Sequence, residues 1–94
     1  MALFAKDPTA AIDYTVDWSG GYLEPGETLA SSGWQIAPVE AGGLVVDGDV
    51  AGATATTATL SGGLAGHVYR VTNRVTTSAG RVDERSLMIR VQQR

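Results

Sequence analysis

The chain has no cysteine, one histidine and one lysine in its 94 residues, and only six aromatic side chains. Without cysteine there is no disulfide, no thiolate nucleophile and no Cys-built zinc site. A single imidazole, His67, excludes multi-His metal centres and leaves most catalytic triads without their base. The net charge of −3 makes a sequence-independent grip on nucleic-acid phosphates unexpected. No apolar run approaches the roughly 18 residues that a membrane-spanning helix needs. Met1–Lys6 is too short, and lacks the basic region, for a signal peptide. A chain of this length buries roughly 60–70% of its unfolded surface, enough for one domain but not for a core and a deep cleft together. The expectation is a non-enzymatic binding or structural module, with no cofactor, no metal, and neither nucleic acid nor membrane as partner.

What the chain has is glycine, threonine and valine. Gly occurs twelve times, at intervals that suit turns, and the β-branched residues pack well on a pleated surface. Ile12, Tyr14, Val16 and Trp18 alternate with Asp13, Thr15 and Asp17, predicting a half-buried strand over 10–18, ended by Ser19-Gly20-Gly21. The Pro25-Gly26 pair marks a turn in an exposed loop, Tyr22-Leu23-Glu24-Pro25. A strand over 28–37 buries Leu29, Trp34 and Ile36, with a bulge near Ser31-Ser32-Gly33 to absorb one slip in the alternation. A short strand Leu44-Val45-Val46 precedes Asp47-Gly48-Asp49, which reads as a turn. A threonine-rich strand ends at Leu60, and Ser61-Gly62-Gly63 turns the chain. Tyr69, Val71, Asn73 and Val75 face one way and Arg70, Thr72, Arg74 and Thr76 the other. Ser78-Ala79-Gly80 closes a hairpin to a last strand over 81–92, with Leu87, Ile89 and Val91 inward. The economical architecture is all-β, a single antiparallel β-sandwich of six to seven strands over 10–94. Residues 1–9 read as a flexible N-terminal arm.

The residues that could carry chemistry have plainer roles. Asp13 and Asp17 share a strand face but lie over ~12 Å apart by strand rise, too far for a paired acid and base. Asp47 and Asp49 offer two carboxylates where a Ca²⁺ loop needs six or more oxygens. Ser31 and Ser32 lack the setting of a nucleophile elbow. Gly62-Gly63 has no following helix or Lys to bind phosphate. Asn73, on an otherwise apolar face, is expected to be a satisfied polar group at the core edge.

Charge is unevenly divided. Residues 1–47 hold one Lys and seven acids, whereas residues 48–94 hold six Arg and three acids. Either strands of opposite sign pair within the sandwich, with Asp13 and Asp17 against Arg81, Arg85 or Arg90, or an acidic face of one copy meets a basic face of the next.

Two stretches carry a resemblance. Leu60-Ser-Gly-Gly-Leu64-Ala-Gly66-His-Val-Tyr69-Arg-Val71-Thr-Asn73 resembles the corner before strand F of fibronectin type III and immunoglobulin-like domains. That resemblance covers about residues 28–92. It implies that the Tyr69 hydroxyl bonds to backbone near Leu64 or Ala65, and that Trp34 is a core tryptophan. Tyr14-Thr-Val-Asp17-Trp18, Leu23-x-Pro-Gly26-Glu27-Thr28-Leu-Ala-Ser31-Ser32-x-Trp34, Tyr69-x-Val71-Thr72-Asn73 and Thr77-x-Ala79-Gly80-Arg81-x-Asp83-Glu84-Arg85-Ser86 are similar to a family of small tailed-phage and prophage virion-associated proteins. Residues 38–53 depart from it and are expected in loops.

The second resemblance implies a structural protein of a tailed-phage or prophage particle, in its head, neck or tail. Such a protein would be made in the bacterial host cytoplasm and would act in the virion by self-association or by docking on other virion proteins. Tyr22, Leu23 and Glu24 in the loop, and Arg70 and Arg74 on the strand, are the contact candidates. Trp18, Trp34, Tyr69 and Asn73 are the structural ones. The alternatives are an adhesion or carbohydrate-binding module, which needs an exposed aromatic platform such as Trp18 beside Tyr22, and a small inhibitor or assembly factor.

Overall fold

A computed structural model describes residues 2–20 and 22–93. Seven strands run in chain order as β1 (Ala2–Lys6), β2 (Ile12–Asp17), β3 (Leu29–Ala37), β4 (Leu44–Ala51), β5 (Ala55–Gly62), β6 (Val68–Thr77) and β7 (Val82–Val91). They form a four-stranded sheet in the order β1-β7-β6-β3 and a three-stranded sheet in the order β2-β5-β4. The molecule is all-β, and its two sheets close over one core. At 43 × 21 × 17 Å it is long and thin, so the two outer sheet faces make up much of its surface.

Alternation builds that core. Every second residue of β6 from Tyr69 to Thr77 is buried, and Thr56, Ala58 and Leu60 of β5 are buried opposite them. Leu44, Ala58, Leu60, Tyr69, Val71, Ile89 and Val91 make one cluster, flanked by half-buried Ile12, Tyr14, Trp34, Ile36, Val46 and Leu87. Each large apolar side chain so buried contributes roughly 1.5–3 kcal/mol.

Four expectations need correction. Residues 2–6 are not an arm: they are β1, paired in parallel with Leu87–Val91 of β7, and Lys6 is buried. The sandwich therefore contains one parallel pair among its antiparallel ones. Asp47-Gly48-Asp49 is not a turn. β4 runs through it, with Val46 opposite Leu60 and Gly48 opposite Thr59, so Asp47 is the extra residue of a bulge. The turn falls at Gly52, whose N–H donates to Ala55 at 2.8 Å. It follows that 38–53 is not all loop, because 44–51 is strand. The bulge in β3 lies between Leu29 and Ser31, just before the site expected. Of the glycines expected to end the strand at 19–21, Gly21 lies outside the described residues.

At the end of β5 the fold requires glycine. Gly63 has φ 104°, and a Cβ there would meet Val91 Cγ2 at 2.5 Å. This close approach lets the chain cross from one sheet to the other and return as β6.

Candidate interaction surface

Asn73 gathers the polar groups at the centre of the sandwich. The Asn73 amide oxygen accepts from Trp18 Nε1 at 3.0 Å and from Thr56 Oγ1 at 2.6 Å. Its Nδ2 donates to Ser32 Oγ at 2.9 Å and to the Gly33 carbonyl at 3.0 Å. One side chain thus ties β6 to β3 in its own sheet and to β5 and the end of β2 in the other. Trp18 is fully buried, with Tyr22 edge-on to it at 5.3 Å and the Arg85 guanidinium 4.4 Å over its ring. Trp34 is half-buried, and its Nε1 has no hydrogen-bond partner among the described residues.

Tyr69 is buried, and its hydroxyl accepts from the Leu64 N–H at 3.1 Å, as the resemblance implied. The same hydroxyl donates to Glu40 Oε1 at 2.5 Å, and that oxygen also contacts His67 Nδ1 at 2.9 Å. Hydrogen bonding from Tyr69 holds the Glu40 carboxyl below its usual range, despite some desolvation. Burial first, then the bond to Glu40, pushes the Tyr69 hydroxyl up.

The loop before β3 is held by an interaction that sequence reasoning missed. Glu27 is nearly buried, and Arg81 grips it with Nε on Oε2 at 3.0 Å and Nη2 on Oε1. Thr77 Oγ1 donates to Oε2 at 2.5 Å, and the Glu24 N–H donates to Oε1 at 2.9 Å. The Arg81 guanidinium first, then these two donors, hold the Glu27 carboxyl at about 2. Arg81 also donates to the Tyr22 carbonyl at 3.0 Å and lies 4.5 Å over the Tyr22 ring. The loop is thereby fixed to the β6–β7 hairpin. The Pro25-Gly26 turn and its neighbour Glu27 pointed to the loop, but nothing in the sequence pointed to a partner 54 residues away.

The sequence-predicted contact residues lie on two elements, the loop before β3 and strand β6. Tyr22 and Leu23 are half-buried in the loop, and only Glu24, Pro25 and Gly26 stand fully exposed at its tip. Arg70 and Arg74 lie on β6 facing away from the core, far along the chain from that tip. Asp13 accepts from Thr59 Oγ1 at 2.5 Å across the outer face of the three-stranded sheet. Asp17 caps the chain reversal after β2 by accepting from the Ser19 hydroxyl and N–H, which holds its carboxyl below the usual range. Among the described residues, no three of His, Cys, Asp and Glu converge as metal ligands.

Two sheets closed over one core, with the loop before β3 tied to the β6–β7 hairpin, make this an all-β protein of sandwich-like arrangement. The family comparison gives that class a particular identity. A family model described as podophage GP4 fiber-tail adaptor protein gp77 matches residues 6–90, and the chain belongs to that family. The resemblance to small tailed-phage virion proteins is therefore established, and the family is one of structural phage adaptors. No curated protein matches the chain.

Proposed function

We propose that the chain is a non-enzymatic structural component of a podophage-type tail, an adaptor that docks on other virion proteins to join fibre to tail. The observation that carries this reading is the family match, which spans nearly the whole chain, from the last residue of β1 to the next-to-last residue of β7. The scaffold supports it. A joint under mechanical load needs surfaces that hold their shape, and Asn73 and Glu27 cross-link the elements behind both candidate contact regions. In this reading the protein is made in the host cytoplasm and resides in the particle. Arg70 and Arg74 on the outer face of β6, and the loop tip at Glu24 with its neighbours Tyr22 and Leu23, are the contact candidates. We also read the two strand orders, with the Tyr69 corner, as immunoglobulin-like.

The carbohydrate-binding alternative needs Trp18 and Tyr22 side by side on the surface. Trp18 is instead fully buried, with Tyr22 inclined at 64° to it, and no observation favours that alternative. The test is genetic and biochemical together. Phage lacking this gene should yield particles whose tails carry no fibres, and purified protein added to them should restore fibres and infectivity. Fully fibred particles from the deletion would overturn the reading.

A further inference from the structure

Four strands stand at the edges of the two sheets, β1 and β3 in one, β2 and β4 in the other. A bare edge invites a further strand, and proteins guard their edges with brevity, charge, proline or bulges. β1 has only five residues and ends in the buried Lys6. β2 has six and presents the exposed Asp13 and Asp17. β4 carries a bulge at Asp47 and the exposed Asp49. β3 has nine residues, Leu29-Ala-Ser-Ser-Gly-Trp-Gln-Ile-Ala37, with neither charge nor proline. Its irregularity lies at its start, between Leu29 and Ser31. Beyond its pairing with β6, the single backbone–backbone hydrogen bond of β3 among the described residues runs from Leu29 N–H to the Ala53 carbonyl at 2.8 Å. Asn73 donates to the Gly33 carbonyl. The other backbone groups of 31–37 that point away from β6 have no partner among the described residues.

The flanks of that edge define what it takes. Lys6, Arg70, Arg74, Arg85 and Arg90 all lie on this sheet, whereas β2, β4 and β5 hold Asp13, Asp17, Asp47 and Asp49 and neither Lys nor Arg. On the outer face Gly33 stands opposite Arg74 and Ala37 opposite Arg70. Both arginines are exposed. With nothing larger than a methyl group in the way, each guanidinium can extend across β3 toward a strand beyond it. Among the described residues Arg70 makes no ion pair, and Arg74 makes only the exposed, 3.7 Å contact with Glu84. The two arginines are four residues apart, a repeat of ~13 Å. On the inner face Trp34 and Ile36 pack on the core yet stay half-buried. Shallow hollows follow the strand, one lined by 31–35 with Arg74 and the other by 35–37 with Val39 and Arg70.

We propose that β3 receives an extended acidic segment of a partner protein as a fifth strand of the four-stranded sheet. Backbone hydrogen bonds to the free edge supply the grip, and alternate side chains supply the selectivity. Opposite Gly33 and Ala37 the segment places carboxylates, which meet Arg74 and Arg70 on the outer face. Opposite Trp34 and Ile36 it places apolar side chains, which cover the half-buried pair. The segment therefore reads acidic-apolar-x-apolar-acidic, five residues that span 33–37 of β3. Complementary charge fixes its register and speeds encounter. The inference rests on the adaptor reading and names the chemistry of the segment that docks.

The probe is a synthetic peptide, Thr-Glu-Val-Thr-Val-Glu-Thr, titrated with the full chain and followed by fluorescence anisotropy. It should bind, and amide exchange should slow along β3. A counterpart with Lys in place of both Glu should bind at least about tenfold more weakly, from like charge set against Arg70 and Arg74. A fully N-methylated version of the acidic peptide keeps every side chain but has no N–H to pair, and it should not bind. The variant Arg70→Gln/Arg74→Gln, checked for folding by circular dichroism, should bind the Glu and Lys peptides equally. The peptide comparisons need no variant, so they decide even if this one fails to fold. An acidic peptide that does not bind the wild-type chain overturns the proposal. So does equal binding of the Lys or N-methylated peptide, a folded variant that keeps the preference, or β3 amides already protected by a second copy before peptide is added. Any of these leaves the tail assignment standing, because particles from the gene deletion test that separately.

Discussion

Replacing Asn73 by Ala should remove much of the stability of this domain, because the amide satisfies groups that have no other partner within the core. The Trp18 indole N–H and the Thr56 hydroxyl both donate to its oxygen, and both residues are fully buried. Stranding two buried donors at about 1–3 kcal/mol each gives a loss of roughly 2–6 kcal/mol. A domain of this length has roughly 5–14 kcal/mol in all, at about 0.05–0.15 kcal/mol per residue. In urea the midpoint should fall by roughly 3 M, for a loss of about 4 kcal/mol at a slope of about 1.5 kcal/mol/M. The near-isosteric Thr56→Val removes one of the two donors and leaves Trp18 satisfied, so it should cost only about 1 kcal/mol. The two changes should couple, because in the Asn73→Ala background the Thr56 hydroxyl is already orphaned and Val removes that penalty. A loss below about 1 kcal/mol for Asn73→Ala, or additivity of the pair within about 0.5 kcal/mol, would refute the reasoning.

Acid should loosen the loop before β3. Glu27 titrates at about 2 in the folded chain against an ordinary 4.5, so the unfolded chain binds its proton first. Its contribution is complete above about 4.5 and is lost as the pH falls toward about 2. Urea midpoints measured across that window should slope less in Glu27→Gln, with a residual slope from Asp17 and Glu40, whose carboxyls are also held low; an unchanged slope would contradict the assignment. Gly63→Ala should destabilise by roughly 2–4 kcal/mol, from its left-handed backbone and from overpacking against Val91. The mirror control Gly20→Ala, where a Cβ meets nothing within 4 Å, should stay within about 0.5 kcal/mol in the same thermal melt.

The parts legible in the sequence are those governed by short-range periodicity. β6 was readable because Tyr69, Val71, Asn73 and Val75 alternate strictly with polar residues, and the same sheet geometry buries them. Asn73 was legible as a satisfied core group for the same reason, although Thr56 and Ser32 as its partners were not. Asp47-Gly48 misled because the same dipeptide suits a hairpin turn and a bulge; β5, extending to Gly62, supplies pairing on both sides of it and decides for the bulge. Ala2–Lys6 carries no alternation of its own, and its partner strand lies at the opposite end of the chain. The Glu27–Arg81 clasp joins two loops that meet only once the sandwich has closed. The acidic and arginine-rich halves were plain in the sequence. Their segregation to separate sheets was not, because the pairing of β3 with β6, and not sequence order, decides which sheet each strand joins.

The central claim, that this chain is a tail component, is tested most directly by immunogold labelling of intact particles of the encoding phage with antibody to the purified protein. Gold at the junction of fibre and tail is the predicted result. Particles that stay unlabelled while the protein is abundant in the infected cell would contradict it, and would mark the chain as a factor that assists assembly without remaining in the virion.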